Sequence, residues 1–296
     1  MTEHLNKGTL IVIAGPTAVG KTSFAIQVAQ HFNTEIISCD SRQLFKELNI
    51  GVARPSEDEL QTVKHHFIAS HSIFEEYNAG NYETEVNSLL EKLFLKHKVV
   101  VMTGGTGLYI KAAIEGLDPL PPKNKALREE LNALLNASGI EALQQKANSL
   151  NLVITKENAS NPQRLIRAIE IAMQEPSTTL QNKVSRNYNT FCFYLDRDRE
   201  ELYRRINTRV DSMLEEGLEE EARTLHAHKD LNALQTVGYK EFFEYFDGNW
   251  SKEKCIEKIK QNTRNYAKRQ LTWFRNQGNF VKINTSVEEL LNHIPS

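Results

Sequence analysis

The sequence predicts an α/β protein in which a parallel sheet is flanked by helices and interrupted by a helical insertion. Short apolar runs alternate with segments whose apolar residues have helical spacing, and this alternation is typical of parallel strand–helix–strand units. A proline-rich segment at 118–122 then separates that pattern from a stretch without convincing strands. These observations predict a core formed by residues 9–118 and 189–296, with an inserted helical domain at residues 119–188.

The N-terminal half contains three predicted strands with helices between them. Residues 9–14 (TLIVIA), 35–38 and 98–103 (KVVVMT) are short and almost wholly apolar, which is typical of strands covered on both faces. Residues 21–32 carry apolar side chains at helical spacing, and residues 87–96 fit a second helix. Because a strand–helix–strand unit crosses over right-handedly, we expect these strands to pair in parallel.

The rest of the chain is mostly helical. The insertion has a helical pattern over 125–173, and the sequence Glu-Pro-Ser-Thr at 175–178 ends it. An apolar run at 190–195 (TFCFYL) predicts a return to the sheet. Residues 199–275 are mostly helical, and residues 280–283 are a candidate for a final strand.

The composition is that of an ordinary globular protein: 40% of the 296 residues are hydrophobic and 25% are charged. No apolar run approaches the roughly 18–20 residues of a membrane-spanning helix, and the polar residues 1–8 lack a signal-peptide core. Three cysteines lie far apart, which favours reduced thiols and a soluble, cytoplasmic protein. The net charge of −2 argues against a globally basic nucleic-acid coat but not against a local basic patch.

A phosphate-binding loop is the strongest motif in the chain. The segment between the first predicted strand and the first predicted helix matches G-x-x-x-x-G-K-[ST]. In such a loop, backbone N–H groups face phosphate oxygens, the lysine adds positive charge and the final hydroxyl ligates Mg²⁺. This context predicts a P-loop NTPase-like core that binds a diphosphate or a triphosphate. The predicted phosphate-binding residues are Gly15, Pro16, Thr17, Ala18, Val19, Gly20, Lys21 and Thr22, of which Thr22 is the candidate metal ligand.

The accompanying motifs of common P-loop NTPases are missing. A switch GTPase is expected to carry N-K-x-D, whereas residues 182–185 are Asn-Lys-Val-Ser. A motor ATPase usually places an Asp at the end of an apolar strand, but the strand at 98–103 is followed by Gly-Gly-Thr-Gly at 104–107. Asp196 does follow a predicted strand, yet the two arginines that flank Asp198 favour a solvated helix start there.

Two more loops follow predicted strands, and we expect them at the same sheet edge because ligands bind at the carboxyl ends of parallel strands. Asp40, in the segment 38–43 (SCDSRQ), is equally suited to cap a helix and to act as a general base or bind Mg²⁺ through water. Residues 104–109 (GGTGLY) permit the close approach of a substrate, although alone they favour a simple tight turn. The convergence of three loops on one edge favours a site.

Residues 252–275 form the most basic segment, with eight Lys or Arg and two acids. The interleaved aromatic residues resemble a nucleic-acid surface on which cations meet phosphates and rings stack on bases. The alternative, which this segment alone favours, is an amphipathic helix with a solvated basic face and aromatic residues in the core. Residues 163–167 (QRLIR) have the same two interpretations. For His65 and His66, a structural or polar-contact role is favoured over a metal site because other ligands are missing nearby.

Taken together, these segments resemble the tRNA dimethylallyltransferases, also called tRNA isopentenyltransferases, through most of the chain and in family order. The matching segments are GPTAVGKT (15–22), SCDSRQLF (38–45), IGVARP (50–55), HHF (65–67), YNAGNY (77–82), GGTGLYI (104–110), NPQRLIRAIEI (161–171), RRINTRVDSMLEEGLEEEA (204–222), TVGYKE (236–241) and TRNYAKRQLTWFR (263–275). Departures from the family pattern are mild, and none touches the phosphate loop or Asp40.

The resemblance implies a prenyl-transfer reaction in place of ATP chemistry. Members transfer a dimethylallyl group from dimethylallyl diphosphate to N6 of the adenosine directly 3′ of the anticodon, in tRNAs that read codons beginning with U, and release diphosphate. The phosphate loop then holds a leaving diphosphate whose growing charge Lys21 and Mg²⁺ stabilise. The implied partners are tRNA and dimethylallyl diphosphate, and the implied cofactor is Mg²⁺. No obligate protein partner is evident, so we expect a monomer; whether ATP also occupies the loop stays open.

The resemblance also implies roles for individual residues. Asp40 is the implied base that deprotonates the adenine amine, and Thr17 lies beside the reacting centre. Thr106 and Arg128 contact the tRNA at the flipped base, while Arg223 and Arg209 are weaker candidates for diphosphate contacts. The implied RNA surface consists of Asp40, Ser41, Arg42, Gln43, Gln163, Arg164, Leu165, Ile166, Arg167, Gln235, Thr236, Val237, Gly238, Tyr239, Lys240, Lys268, Arg269, Gln270, Leu271, Thr272, Trp273, Phe274 and Arg275.

Two other functions stay under consideration. A small-molecule or nucleotide kinase would use ATP at the same loop, with Arg164 and Arg167 as arginines of a mobile lid. The basic, aromatic segment near the C-terminus argues against it, because a small substrate does not require such a surface. A non-catalytic RNA-binding protein would not need Lys21, Thr22 and Asp40 together.

Overall fold

The computed structural model describes residues 8–118, 120–174 and 186–294. Within them, six strands form one parallel sheet in the order β3-β2-β4-β1-β5-β6. The predicted α/β fold class with a parallel sheet is therefore confirmed. The strands are β1 (Gly8–Ala14), β2 (Ile36–Ser38), β3 (His65–His66), β4 (Val99–Gly104), β5 (Tyr188–Leu195) and β6 (Phe280–Ile283).

Helices follow the strands and continue to the end of the chain. The helices are α1 (Lys21–His31), α2 (Glu57–Thr62), α3 (Ala79–Phe94), α4 (Gly107–Ile114), α5 (Lys125–Ser149), α6 (Lys156–Ala159), α7 (Pro162–Met173), α8 (Arg199–Glu215), α9 (Leu218–Leu225), α10 (Tyr239–Phe246), α11 (Lys252–Arg275) and α12 (Val287–Leu291), with short 3-10 turns at His226–His228 and Asn232–Leu234. The proposed insertion end at 175–178 and the segment 182–185 lie outside the described residues.

The sheet is covered on both faces, as its apolar strands predict. In β1, Leu10, Val12 and Ala14 belong to one buried cluster, whereas Ile11 and Ile13 belong to the other. This alternation follows from the period of two in a strand. The first cluster takes in α3, α4 and α10, and the second takes in α1 and parts of α8. Each buried Ile or Leu contributes about 1.5–3 kcal/mol, so both layers hold the loops at the sheet edge in place.

Helix α3 and strand β3 differ from the sequence prediction, and helices α2 and α4 were not predicted. Helix α3 begins at Ala79, eight positions before the predicted start at 87, because Asn78 caps it and exchanges hydrogen bonds with Asn81 in a capping box. The two-residue strand β3 was not predicted, because its pairing with β2 is visible only in three dimensions. His66 in this strand contacts the Glu35 carboxylate through Nε2 at 2.5 Å.

The chain divides into two compact units: unit 1 comprises Met1–Gly116 and Ser185–Ser296, and unit 2 comprises Leu117–Val184. Unit 2 has its own small core, in which Leu131 and Leu143 of α5 are buried with Leu165 and Ile169 of α7. Helix α5 consists of two helices joined at Gly139, whose φ of 74° interrupts the helical backbone. None of the helices in the described residues is long and apolar enough to cross a bilayer.

Candidate active site

The phosphate loop lies between β1 and α1 in unit 1, as its motif predicts. Gly20 has φ 107°, a left-handed conformation that glycine adopts without strain, and it ends the loop one residue before α1 begins at Lys21. Ala18 also has a positive φ, 64°, which costs an alanine about 1–2 kcal/mol. The surrounding structure therefore has to hold the loop in this shape.

Two arginines of unit 1 form hydrogen bonds to backbone carbonyls of the loop. The Nε of Arg205, on α8, donates to the Ala18 carbonyl at 2.8 Å. The Nε of Arg197, just before α8, donates to the Val19 carbonyl at 2.9 Å. These bonds satisfy backbone carbonyls that cannot join a helix or strand. The sequence analysis did not identify either arginine, although Arg205 and Arg209 stand one helical turn apart.

Lys21 is placed in the loop as the motif predicts, and its side chain is partly buried. Its ammonium donates to the Pro16 carbonyl at 2.7 Å. Burial lowers the pKa of Lys21 to about 8, with the Asp40 carboxylate opposing this shift and Arg209 adding to it. The lysine is thus held beside the loop, and a phosphate group would favour its charged form.

Asp40 lies two residues beyond the carboxyl end of β2, and its side chain caps a turn where the sequence left a helix cap as one alternative. Its Oδ1 accepts hydrogen bonds from the backbone N–H groups of Arg42 at 2.9 Å and Gln43 at 3.3 Å, so it caps the following turn. Its Oδ2 forms no hydrogen bond within the described residues, and Asp40 lines the same cleft as Thr17 and Lys21. The capping role therefore leaves one carboxylate oxygen available for a substrate.

The third predicted loop, residues 104–109 after β4, is hydrogen-bonded to the second, residues 38–43 after β2. The hydroxyl of Thr106 accepts a hydrogen bond from the Ser41 backbone N–H at 3.1 Å and lies 3.3 Å from the Ser41 hydroxyl. The loops that follow β1, β2 and β4 meet at one edge of the sheet, as their strand order requires.

An open cleft of about 1790 Å³ lies at this edge, within unit 1. All of the Lys and Arg that line it share one property: within the described residues, none forms an ion pair with a carboxylate. These residues, which we call the cleft cations, are Lys21, Arg42, Arg54, Arg204, Arg205, Arg209, Lys240 and Arg269. Burial lowers the pKa of Arg209, and the like charge of Arg205 adds to this effect. The cleft is therefore suited to an anionic ligand.

Several predicted RNA-contact residues of unit 1 do line the cleft. They are Asp40, Ser41, Arg42, Gln43, Thr106, Gln235, Thr236, Val237, Gly238, Lys240, Arg269 and Gln270. Tyr266 of α11 lines it as well, near Asp40 and Arg42. It is one of the interleaved aromatic residues of the basic segment, and the structure separates it from Trp273 and Phe274, which do not line the cleft.

Other predicted contacts of unit 1 lie outside the cleft, where they are buried, paired or exposed. Tyr239 and Phe274 are completely buried, and Phe274 packs against Tyr194 and Phe280, so neither ring is available for stacking on a base. Trp273 and Leu271 pack against the core. Lys268 and Thr272 are exposed outside the cleft.

Two of the predicted arginines belong to ion pairs outside the cleft. Arg275 binds the Asp196 carboxylate at 2.7 Å, and the Asp196 side chain is only 4% exposed. The solvated helix start that the sequence predicts here lies two residues later. Asp198 is the exposed N-cap of α8. Arg223 binds Glu219 at 2.8 Å and covers the Phe246 ring, and it does not line the cleft.

The predicted RNA-contact residues of unit 2 are mostly buried or paired with other side chains. Arg128 and Arg167 both bind the fully buried carboxylate of Glu170, at 2.8 and 2.6 Å. Leu165 and Ile166 are buried in the core of this unit, so their side chains do not reach a surface. Arg164 is exposed and donates to the Asn158 side chain at 2.9 Å.

The side chain of Gln163, the remaining candidate of unit 2, is exposed. The burial of Glu170 would raise its pKa, but hydrogen bonds from Arg128 and Arg167 outweigh this effect and lower the pKa to about 2. The two arginines therefore stabilise the junction of α5 and α7.

A parallel sheet with a P-loop motif between β1 and α1, a carboxylate on the next loop and a cationic cleft defines a protein of the P-loop NTPase-like fold class. The chain belongs to the IPP transferase family, whose model matches residues 43–277. It is 52% identical over 271 residues to the tRNA dimethylallyltransferase of Christiangramia forsetii, a match that covers 90% of each chain.

Two solved structures are similar to this fold along almost the whole chain. The first is the tRNA isopentenylpyrophosphate transferase from Bacillus halodurans, with a TM-score of 0.71 and 34% identity over 97% of this chain and 94% of that chain. The second is a eukaryotic dimethylallyltransferase acting on tRNA, with a TM-score of 0.73 and 25% identity over 97% of this chain and 76% of that chain.

Proposed function

We propose that this protein transfers a dimethylallyl group from dimethylallyl diphosphate to N6 of the adenosine directly 3′ of the anticodon in tRNA, and releases diphosphate. The family match and the names of its relatives support tRNA prenylation and not the kinase alternative. The observation that carries the proposal is the position of Lys21 and Asp40 in one cleft whose cations form no ion pair with the carboxylates that the structure describes.

The diphosphate end of the donor would bind at the phosphate loop. When the bond between the allylic carbon and the diphosphate oxygen breaks, negative charge grows on the diphosphate. Groups that are already aimed at this charge stabilise the transition state, because they need no rearrangement during the reaction. Lys21 and Arg209, together with loop N–H groups that are not bonded within the described residues, would be such groups in this cleft. The N–H of Thr17 is not among them, because it donates to Gln270.

The acceptor end would bind beside Asp40. The nitrogen of the adenine amine forms the new bond to the allylic carbon and loses a proton. The Asp40 carboxylate, with one oxygen unbonded to the protein, is the group on this chain that would take that proton. Because one oxygen stays fixed by the turn, the other has a defined direction.

A divalent cation fits the donor set of the cleft. The Thr22 hydroxyl and the Asp40 carboxylate offer oxygen atoms, which Mg²⁺ prefers, together with phosphate oxygens and water. The described residues contain no group of three or more His, Cys, Asp or Glu side chains arranged to hold a metal ion. We therefore propose that Thr22 and the diphosphate would hold Mg²⁺, which would supply further charge stabilisation to the leaving group. Binding of the ion through water at Asp40 is the alternative to the role of Asp40 as the base.

The tRNA would have to present its adenine to the cleft outside the base stack. In unit 1, Arg42, Lys240 and Arg269 line the cleft without carboxylate partners and are suited to backbone phosphates. In unit 2, Gln163 and Arg164 are exposed and are the candidates for a second contact region. One chain supplies the whole cleft, so the proposal requires only a monomer, acting in the cytoplasm where tRNA is present.

The test is a transfer assay with dimethylallyl diphosphate labelled in the allyl group, unmodified tRNA and Mg²⁺, without ATP. Label in the adenosine beside the anticodon is the expected result, and a tRNA with guanosine at that position is the matched control that should stay unlabelled. Hydrolysis of ATP or phosphoryl transfer, without labelled tRNA, would instead support a kinase.

A further inference from the structure

The side chain of Gln270, on α11, bridges two of the loops that form the cleft. Its Oε1 accepts a hydrogen bond from the backbone N–H of Thr17 at 2.9 Å. Its Nε2 donates to the carbonyl of Gly105 at 3.0 Å. The residue is only 6% exposed. A buried amide that satisfies one donor and one acceptor at once has a single favourable orientation, so it fixes the distance between the two loops.

The third loop is shaped to admit this contact. A Cβ at Gly105 would lie 2.1 Å from the Gln270 Nε2, and a Cβ at Gly107 would lie 2.5 Å from the Trp273 ring. Gln270 and Trp273 are three positions apart on α11 and face the same direction. Helix α11 therefore lies directly against the third loop at two successive contacts, and neither position has room for a larger residue.

The bridge extends to all three loops of the cleft. Gln270 joins the phosphate loop at Thr17 to the third loop at Gly105. The next residue, Thr106, accepts a hydrogen bond from the backbone of Ser41. Ser41 adjoins Asp40, whose Oδ1 caps the same turn. A continuous path of hydrogen bonds thus connects the loop suited to the diphosphate with the loop that carries the carboxylate.

We propose that Gln270 is a positioning residue, which holds the phosphate loop and the Asp40 loop in register and does not itself contact the RNA. This proposal rests on the proposed transfer reaction. In that reaction the donor carbon is placed by one loop and the acceptor nitrogen by the others, so their separation depends on the bridge. A displacement of about 1 Å between reacting groups lowers the rate about 10²-fold.

The variant Gln270→Glu separates this role from simple packing. A protonated glutamate can donate to Gly105 and accept from Thr17, as the amide does, whereas an ionised one has no donor and sets an oxygen against the Gly105 carbonyl. We expect kcat to be near the wild-type value at low pH and to fall about 10²-fold as the new carboxyl ionises. The KM values for dimethylallyl diphosphate and tRNA should change by less than about threefold, because the contacts that bind both substrates in the ground state are unaffected.

Two controls frame this result. Gln270→Met fills the same volume without either hydrogen bond and should have a lowered kcat at every pH. Gln261→Glu introduces the same charge on an exposed position of α11 and should behave as wild type. If Gln270→Glu and Gln270→Met are equally slow at every pH, the residue acts through packing. If the tRNA KM rises while kcat stays normal, Gln270 is an RNA contact; either outcome overturns the proposal.

Hydrogen exchange of the wild-type protein tests the bridge without any substitution. The Thr17 amide should exchange about as slowly as the amides of β1, because it is bonded to a buried acceptor. Exchange at the rate of an open loop would contradict the bridge. This measurement does not depend on catalysis, so an enzyme that failed to prenylate tRNA would refute the proposed function and leave the bridge to be judged on the exchange rate of Thr17.

Discussion

The cleft of unit 1 and the α5–α7 junction of unit 2 both contain arginines that the sequence predicts to bind tRNA or phosphate, but the charges around them differ. In the cleft, residues such as Arg42, Arg209 and Arg269 have no ion-pair partner among the described carboxylates. In unit 2, Arg128 and Arg167 meet on the buried carboxylate of Glu170. A basic motif in a sequence therefore indicates where arginines and lysines stand along the chain. The structure shows which of these side chains are already paired with a carboxylate.

The same difference appears within a single helix of unit 1. Arg269 of α11 lines the cleft, 5.8 Å from the centroid of the Tyr266 ring, and forms no ion pair with a carboxylate of the described residues. Arg275 of the same helix binds Asp196, as Lys282 does at 3.5 Å. The cation with a carboxylate partner stabilises the fold, and the cation without one is suited to an anionic ligand.

The largest effect is expected at Asp40. Replacing Asp40 with Ala removes the proposed base and should lower kcat about 10²–10⁴-fold while tRNA affinity stays near normal. Single-turnover transfer, with tRNA binding measured separately, checks both values. Glu57→Ala, a carboxylate at the rim of the same cleft, is the control. A large loss of tRNA affinity with normal turnover would contradict the assigned role of Asp40.

The second-largest effect is expected on the stability of unit 2. Glu170→Gln leaves Arg128 and Arg167 without their buried carboxylate and should destabilise the α5–α7 junction by about 2–4 kcal/mol. Because the pKa of Glu170 is lowered from 4.5 to about 2, this stabilisation is complete above about pH 4.5. It should be lost as the pH falls toward 2.

Hydrogen exchange at the amides of α5 and α7 in the full chain measures the change at Glu170. The control is Glu130→Gln, which breaks an exposed pair with Lys146 in the same unit and should cost less than about 1 kcal/mol. If Glu170→Gln leaves exchange unchanged but weakens tRNA binding, these arginines act on RNA and not on the fold.

A smaller effect is expected in the pH profile of the wild-type enzyme. Burial lowers the pKa of Lys21 to about 8, so the unliganded protein loses this positive charge as the pH rises through that value. The value of kcat/KM for dimethylallyl diphosphate should then fall about tenfold per pH unit above pH 8. Lys21→Arg keeps its positive charge above pH 8. In this variant the fall of kcat/KM above pH 8, the alkaline limb of the profile, should disappear even if kcat/KM is lower at every pH. An unchanged alkaline limb in that variant would assign the titration to another group.

The smallest effect is expected on tRNA affinity at α11. Replacing Lys268 and Arg269 together with Ala should weaken binding and reduce the slope of log K against log salt by about one unit per lost phosphate contact. Arg275→Ala, at a paired cation of the same helix, should leave the slope nearly unchanged. Equal slopes for both variants and the wild type would make the basic face of α11 a solvated surface.

The features of this molecule that depend only on neighbouring residues could be predicted from the local sequence pattern. The buried strand β1, the loop that ends in Lys21 and the acidic loop at Asp40 are each encoded within a few consecutive positions. The helix α3 was placed too late because the apolar pattern begins after its cap at Asn78. Strand β3 has only two residues and pairs with β2 across the sheet, so no local pattern reveals it.

The hydrogen-bond and ion-pair partners of charged and polar side chains could not be predicted from local sequence patterns. Arg205 reaches Ala18 across 187 positions, and Gln270 reaches Thr17 across 253. Glu170 was not singled out, although it determines the surrounding of two predicted RNA contacts. Such pairs follow from how distant elements pack, and a single sequence shows only the residue type at each end.

Binding of inorganic diphosphate with Mg²⁺ to three forms of the protein tests the central claim most directly, because it compares a cleft cation with a paired one. Calorimetric titration of wild type, Arg209→Ala and Arg223→Ala should show a Kd at least about tenfold weaker for the first variant, the loss expected for a charge-assisted hydrogen bond. It should show a change of less than about twofold for Arg223→Ala, since Arg223 is paired with Glu219 outside the cleft. Equal weakening in both variants, or weakening only in Arg223→Ala, would contradict the claim that the cations without carboxylate partners form the phosphate site.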